Sequence, residues 1–136
     1  MKVEYLGEGA RDCPLIRIYG PNVAEALRFY EIAKGLGDGA LDLADIKSVD
    51  GFQMLGCSLL LRAGQDEGII RTQDASPNFL WSQKRARWEV IAGLVDPFTK
   101  PSGGIFHQWL AGKEALPGLA RSKIALVFTN DEGGRW

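Results

Sequence analysis

The sequence predicts a single α+β domain in which an antiparallel or mixed β-sheet carries two helices packed on one face. Two amphipathic segments with helical spacing alternate with short runs rich in β-branched and aromatic residues. The predicted order is β-α-β-β-β followed by β-α-β-β, and no long polar linker divides the chain. Because 136 residues can bury a core of their own, we expect residues 1–136 to form one domain.

The first strand and the first helix are predicted over residues 13–20 and about 21–36. The strand, CPLIRIYG, is rich in Ile and Leu and ends at a Gly-Pro pair. Its alternation puts Ile16 and Ile18 on one face and puts Leu15, Arg17 and Tyr19 on the other. Pro21 suits the first turn of the helix, and the pair Gly35 and Gly37 suits its end. The apolar stripe of the helix comprises Val23, Ala26, Leu27, Tyr30 and Ala33, and Phe29 and Leu36 widen it.

The middle of the chain predicts two further strands. Residues 40–47 form the weaker one, and the Asp-Gly pair at 50–51 is typical of a turn that closes a hairpin onto the next strand. In FQMLGCSLLLRAG (52–64) the two faces differ. An unbroken apolar row, expected to face the helices, comprises Leu55, Cys57, Leu59, Leu61 and Ala63. The mixed row comprises Phe52, Met54, Ser58, Leu60 and Arg62.

The second half again combines strands with one helix. A polar turn at 64–68 predicts an antiparallel hairpin between the strands on either side of it. The helix is predicted over about 83–96, with Ser82 as its N-cap and Pro97 at its end. The strands are predicted at 69–73, 78–82, 104–110 and 122–130.

Composition and charge restrict the classes of function. Sixteen Lys and Arg against seventeen Asp and Glu leave a net charge of −1, which argues against a nucleic-acid binder or a membrane-surface binder. The two cysteines are far apart, so neither a disulfide framework nor a structural zinc site is indicated. The first residues lack the apolar run of a signal peptide, and no run is long enough to span a bilayer. We therefore expect a cytoplasmic protein.

The sequence predicts no catalytic residues, no metal site and no cofactor. Catalysis by a nucleophile needs a nearby base, and Cys13 with the single histidine, His107, is the one Cys/His pairing to consider. Nothing around Cys13 resembles a setting that lowers the pKa of a thiol. The glycine-rich segment at 35–39 follows a helix, whereas a dinucleotide-binding loop lies between a strand and a helix.

The stretch ALRFYEIAKGLG (26–37) resembles the first helix of the vicinal-oxygen-chelate superfamily, in which a Phe-Tyr pair precedes a Gly-Leu-Gly exit. The element order is also similar to the plan of that superfamily. The resemblance implies a metal held by His and Glu side chains on strands, but the strand at 14–20 contains no His, Glu or Asp. It therefore implies at most a metal-free small-molecule binder or a small enzyme of this plan.

Two groups of side chains are candidate sites. The first is a mixed sheet face that carries Arg17, Tyr19, Arg62, His107 and Trp109. Arginine, tyrosine and tryptophan are enriched in binding and oligomer interfaces. The same residues also suit an ordinary half-exposed sheet face. The second is the basic segment with Lys84, Arg85 and Arg87, placed in the first turn of the second helix, where the helix dipole disfavours positive charge. Solvated basic side chains are the expected interpretation, with a contact to an anion or an acidic partner as the alternative.

These observations favour a non-enzymatic ligand-binding or protein-interaction module. A homodimer through a sheet face or edge is the expected partnership. Trp136, at the end of the chain, either folds back onto the domain or docks onto a neighbour.

Overall fold

The computed structural model describes residues 1–7, 14–72, 77–101 and 104–131. Within these ranges the chain forms helices and strands in the proportions of an α+β protein, so the predicted class is confirmed. The helices are α1 (Val23–Asp38) and α2 (Arg85–Val95). The strands are β1 (Lys2–Leu6), β2 (Leu15–Tyr19), β3 (Leu43–Asp45), β4 (Gln53–Leu55), β5 (Ser58–Ala63), β6 (Gly68–Arg71), β7 (Asn78–Gln83), β8 (His107–Ala111) and β9 (Ala125–Thr129). No helix among these residues is long and apolar enough to cross a membrane.

The strands form two mixed sheets instead of the single sheet predicted from the sequence. Sheet A has the order β4-β1-β2-β9-β8, and sheet B has the order β3-β5-β7-β6. In sheet A the antiparallel pair β1–β2 joins the antiparallel pair β8–β9 through a parallel pairing of β2 with β9. In sheet B the antiparallel pairs are β6–β7 and β3–β5. A parallel pairing of β7 with β5 joins them. Each sheet therefore combines strands from both halves of the chain.

The core lies between the inner faces of the two sheets and the two helices. Phe29 of α1 packs against Phe128 of β9, with ring centroids 5.1 Å apart. Trp88 of α2 packs in the same way against Trp81 of β7, at 4.8 Å. All four aromatic side chains belong to one buried cluster that draws on both sheets and both helices. Burial of such large apolar side chains is the main stabilising term of the fold.

Helix α1 begins and ends at residues that satisfy its free backbone groups. The Asn22 side chain accepts from the Glu25 backbone N–H, and the Glu25 side chain accepts from the Asn22 N–H, which makes a capping box. Gly39, in the left-handed region with a φ of 93°, ends the helix. The buried stripe is centred on Phe29, and Val23 and Leu27, which the sequence placed in the stripe, are exposed.

The segment at 52–64 is the largest departure from the predicted elements. It divides at Gly56, whose φ of 70° turns the chain so that β4 joins sheet A while β5 joins sheet B. The apolar row predicted from Leu55 to Ala63 is therefore broken, although Leu59 and Leu61 are fully buried. Strand β1, with the alternation Lys-Val-Glu-Tyr-Leu, was not predicted.

The hairpin predicted at 64–68 is wrong, whereas the strand predicted at 40–47 does pair antiparallel with part of the strand predicted at 52–64, as β3 with β5. The connection between β3 and β5 is longer than a hairpin turn. The Asp-Gly turn at 50–51 is followed by β4, which lies in a different sheet from β3. Strand β6 pairs with β7 and not with β5, because β7, with buried Phe79 and Trp81, occupies the centre of sheet B. Ser82, predicted as the N-cap of α2, is instead a buried residue of β7, and Lys84 takes the N-cap position.

Candidate functional site

Four of the five residues predicted for the mixed face lie on one side of sheet A. Cross-strand neighbours place Tyr19 and His107 beside Thr129, and they place Arg17 and Trp109 beside Val127. This side points away from the main core, and we call it the outer face of sheet A. Arg62 does not belong to it, because β5 lies in sheet B.

Arg17 and Tyr19 are buried within the outer face of sheet A. Arg17 is 5% exposed and Tyr19 is 7% exposed. The Arg17 guanidinium forms an ion pair with Glu4, its direct neighbour on β1, and lies 4.1 Å from the centre of the Tyr19 ring. Beside them, Leu15 and Val127 belong to a second, smaller buried cluster. Among the described residues, the Arg17 charge and the Tyr19 ring therefore make structural contacts within the domain.

His107 forms part of a hydrogen-bond network at the start of β8. Its Nδ1 lies 2.6 Å from the Thr129 hydroxyl, which donates to the Phe106 carbonyl oxygen at 3.2 Å and accepts from the Asp131 N–H at 3.1 Å. Since that hydroxyl has one proton, all three contacts are satisfied when Nδ1 of His107 carries a proton and donates. His107 thereby links β8 to β9, and its side chain is also exposed at the surface.

The described thiol is poorly suited to nucleophilic chemistry. Cys57 is half-buried, with its Sγ 3.6 Å from the Val3 carbonyl oxygen. Burial, and to a lesser extent the charge of Glu4, raises the pKa of this thiol, which keeps it protonated. Cys13, and with it the Cys13–His107 pairing, lies outside the described residues, as does Trp136. The described residues hold no group of three or more His, Cys, Asp or Glu side chains suited to a metal ion.

The outer face of sheet B carries a row of apolar side chains. We define this face by Leu43, Asp45, Ser58, Leu60, Arg62, Ile70, Asn78, Leu80 and Ser82. Leu60, Leu80 and Ile70 are direct cross-strand neighbours on β5, β7 and β6. Ile70 is 61% exposed and Leu43 is 53% exposed. Two polar pairs flank the apolar row, and each is joined by a side-chain hydrogen bond: Ser58 with Asn78, and Arg62 with Ser82.

Arg85, the central member of the predicted basic segment, is engaged in the fold. Its Nη1 donates to the carbonyl oxygens of Leu36 and Leu41, both at 3.0 Å, and its Nη2 contacts the Asp42 carboxylate. The last turn of α1 contains no basic residue of its own. Arg85 therefore brings to the C-terminal end of α1 the positive charge that the helix dipole favours there.

Lys84 and Arg87 point to a different place, a hollow of about 310 Å³ that we call the basic hollow. It is lined by Glu67, Lys84, Arg87, Pro117, Gly118 and Arg121. Glu67 and Arg121 were missed from the sequence because both are distant from the basic segment along the chain, and no local pattern connects them.

A second concave region lies at the start of α1. This cleft, of about 450 Å³, is lined by Met1, Lys2, Tyr19, Gly20, Glu25, Gly51 and Gln53. The α-ammonium group of Met1 donates to the Gly51 carbonyl oxygen and pairs with the Glu25 carboxylate, both at 2.7 Å. Burial alone would raise the pKa of Glu25, but the bonds from Met1 and Asn22 and the charges of Met1 and Arg28 lower it overall.

No protein-family model, curated protein or solved structure matches this chain.

Proposed function

We propose that the chain is a non-enzymatic interaction module that associates through the outer face of sheet B, with a second copy of the chain as its partner. The observation that supports this function is the apolar row on that face. Leu60, Leu80 and Ile70 lie side by side across three strands. On the edge strand β3, Leu43 lies opposite Arg62 and diagonal to Leu60.

The energetics of this face favour burial against another surface. Full burial of a Leu or Ile side chain contributes about 1.5–3 kcal/mol, so two strongly exposed side chains, Ile70 and Leu43, offer a substantial gain. Within each polar pair beside the row, the two side chains already hydrogen-bond to each other. This bond lowers the free-energy cost of removing the pair from water.

The charges of the face suit a second copy of the chain. Arg62 forms an ion pair with Asp66 at 3.6 Å, and Asp45 forms one with Lys47 at 3.8 Å. Each charge is thus balanced by a neighbour on the same chain, and two copies do not repel each other. A two-fold axis brings the same patch of both copies together, and two sheet faces pack closely when their strands are nearly aligned.

Sedimentation equilibrium over a wide concentration range tests this function. We expect the natural chain to dimerise and Ile70→Lys to weaken the dimer by about tenfold or more, because a charge would be buried in the interface. Leu116→Lys is the matched control, since Leu116 is also exposed but lies outside sheet B. A natural chain that stays monomeric throughout, or an Ile70→Lys chain that dimerises like the control, contradicts the proposal.

Metal-free binding of a small polar molecule is the second candidate, and the cleft at Met1 and Glu25 favours it. Its volume of about 450 Å³ is in the range of small-molecule sites. Lys2, Tyr19 and Gln53 supply a charge, a hydroxyl and an amide for recognition. Amide chemical shifts recorded against a set of small polar compounds test it: shifts confined to Lys2, Gly51 and Gln53 support this function, and a full set without such shifts contradicts it.

A further inference from the structure

Three positively charged side chains converge on the basic hollow from two separate segments. Lys84 and Arg87 come from the start of α2, and Arg121 follows the short 3-10 helix at Pro117–Leu119. Of the residues that the structure describes, Glu67, on the connection between β5 and β6, is the one that contributes a carboxylate to the lining. Counted over the described residues that line it, three positive charges against one negative charge give the hollow a net charge of +2.

The carboxylate of Glu67 accepts no hydrogen bond from the side chain of Lys84 or Arg87. Its Oε1 lies 4.0 Å from Lys84 Nζ and 3.9 Å from Arg87 Nε, and both distances exceed those of a hydrogen bond. The backbone N–H of Arg87 donates to the Lys84 carbonyl oxygen, but over the ranges that the structure describes its guanidinium donates no hydrogen bond to protein. The side-chain N–H groups of Lys84 and Arg87 are therefore available to a bound molecule.

Gly118 leaves the space in which the Arg87 guanidinium lies. A Cβ atom at Gly118 would lie 2.6 Å from both Cζ and Nη1 of Arg87, so only a glycine allows the guanidinium to lie where it does. The guanidinium is thus packed against the wall of the hollow, where it forms an ion pair with Glu67 but no hydrogen bond to it. Its planar set of donors suits a tetrahedral oxyanion, which it can contact through two oxygens at once.

The start of α2 adds to the attraction for an anion. Helix α2 has 11 residues, and its N-cap, Lys84, makes no side-chain hydrogen bond to the helix. Basic side chains at the positive end of a helix dipole are unfavourable when no anion is present. When an anion is bound there, the electrostatic energy at this end of the helix becomes favourable.

From these contacts we propose that the basic hollow binds a phosphate group, held by Lys84, Arg87 and Arg121. The volume of about 310 Å³ leaves room for an organic group attached to the phosphate beside Pro117. The ligand is therefore inorganic phosphate or a phosphate monoester such as a nucleoside 5′-monophosphate. This site is separate from the outer face of sheet B, and it does not depend on the proposed function.

Calorimetry and amide chemical shifts test the site, with inorganic phosphate in one arm and a nucleoside 5′-monophosphate in the other, at one chloride concentration. We expect binding accompanied by shifts at Gly118 and Arg87. Arg87→Gln and Arg121→Gln should each weaken binding by about tenfold, because each removes charge-assisted hydrogen bonds. Lys113→Gln is the control of equal charge change outside the hollow, and it should leave affinity within about twofold.

A fourth variant, Glu67→Gln, distinguishes ligand binding from a general loss of structure. It removes the negative charge that Glu67 contributes to the lining of the hollow, so it should strengthen phosphate binding several-fold. Arg121 is exposed, so its variant keeps the test decisive if Arg87→Gln does not fold. Tighter binding of the monoester identifies an esterified ligand, and equal binding identifies phosphate itself. Absence of binding in both arms, or equal affinity of Arg121→Gln and Lys113→Gln, overturns the proposal.

Discussion

At the scale of single residues, charged and polar groups that suggest function from the sequence are used between elements of the fold. Arg85 reaches from α2 to the carbonyl oxygens at the end of α1, and Arg17 pairs with Glu4 across two strands. His107 joins β8 to β9 through Thr129. The sequence showed which residues were unusual, but their partners are distant along the chain and could not be identified from it.

Cys57 should react slowly with thiol reagents. Burial raises the pKa of its thiol, so the thiolate fraction at a given pH is smaller than for an exposed cysteine. In a Cys13→Ser variant, we expect disulfide-exchange labelling of the native chain to be at least about tenfold slower than labelling of the unfolded chain. Equal rates for the native and unfolded chains would show that Cys57 is accessible and ionised.

Glu25 should make stability depend on pH in the acid range. Its pKa is below the ordinary value of 4.5 in the folded chain, so its contribution is complete above that value and is lost as pH falls through the lower, folded pKa. At neutral pH, Glu25→Gln should lower the free energy of unfolding by about 1 kcal/mol. The difference from the natural chain should shrink at low pH in denaturant titrations, and a difference that stays constant contradicts this account.

At the scale of elements, the two helices are in close contact at Gly37. A Cβ atom there would lie 2.5 Å from Cγ and 3.1 Å from the backbone nitrogen of Glu89 on α2. The glycine that the sequence suggested as a helix end is therefore also a packing residue. Gly93, on α2, has nothing within 4 Å of a Cβ atom.

These two glycines make a matched pair for mutation. Gly37→Ala should destabilise the protein by about 1–3 kcal/mol, because the added methyl group forces α1 and α2 apart. Gly93→Ala should stabilise it by up to about 1 kcal/mol, because alanine has the higher helix propensity and meets no neighbour. Thermal unfolding of both variants checks the pair, and a tolerated Gly37→Ala would mean that the helices are not in close contact.

Helix positions were predictable from the sequence, whereas strand pairing was not. The predicted helices, 21–36 and 83–96, lie close to the observed Val23–Asp38 and Arg85–Val95, because a buried stripe repeats with the helical period. Alternation in a strand gives its two faces but not its neighbours. The parallel pairings of β2 with β9 and β5 with β7 join residues far apart in the chain, and Gly56 separates two strands that read as one.

At the scale of the whole molecule, each sheet pairs strands from both halves of the chain, and this pairing determines which side chains share an exposed face. The parallel pairing of β5 with β7 places Leu60 beside Leu80, and β6 adds Ile70 to the row. The same topology moves Arg62 away from Arg17 and Tyr19 and divides the predicted site between two sheets. The apolar row on the outer face of sheet B therefore results from long-range pairing, and the sequence alone could not place it.

Methyl relaxation by a soluble paramagnetic agent tests the central claim, that two copies associate through this face, most directly. In samples concentrated enough to dimerise, we expect the methyl groups of Ile70 and Leu43 to be protected from the agent, while those of Leu116 and Ile105, also exposed in the single chain, remain accessible. Ile70 and Leu43 should regain accessibility on dilution. Methyl groups of Ile70 and Leu43 that stay as accessible as those of Leu116 at every concentration would contradict the account.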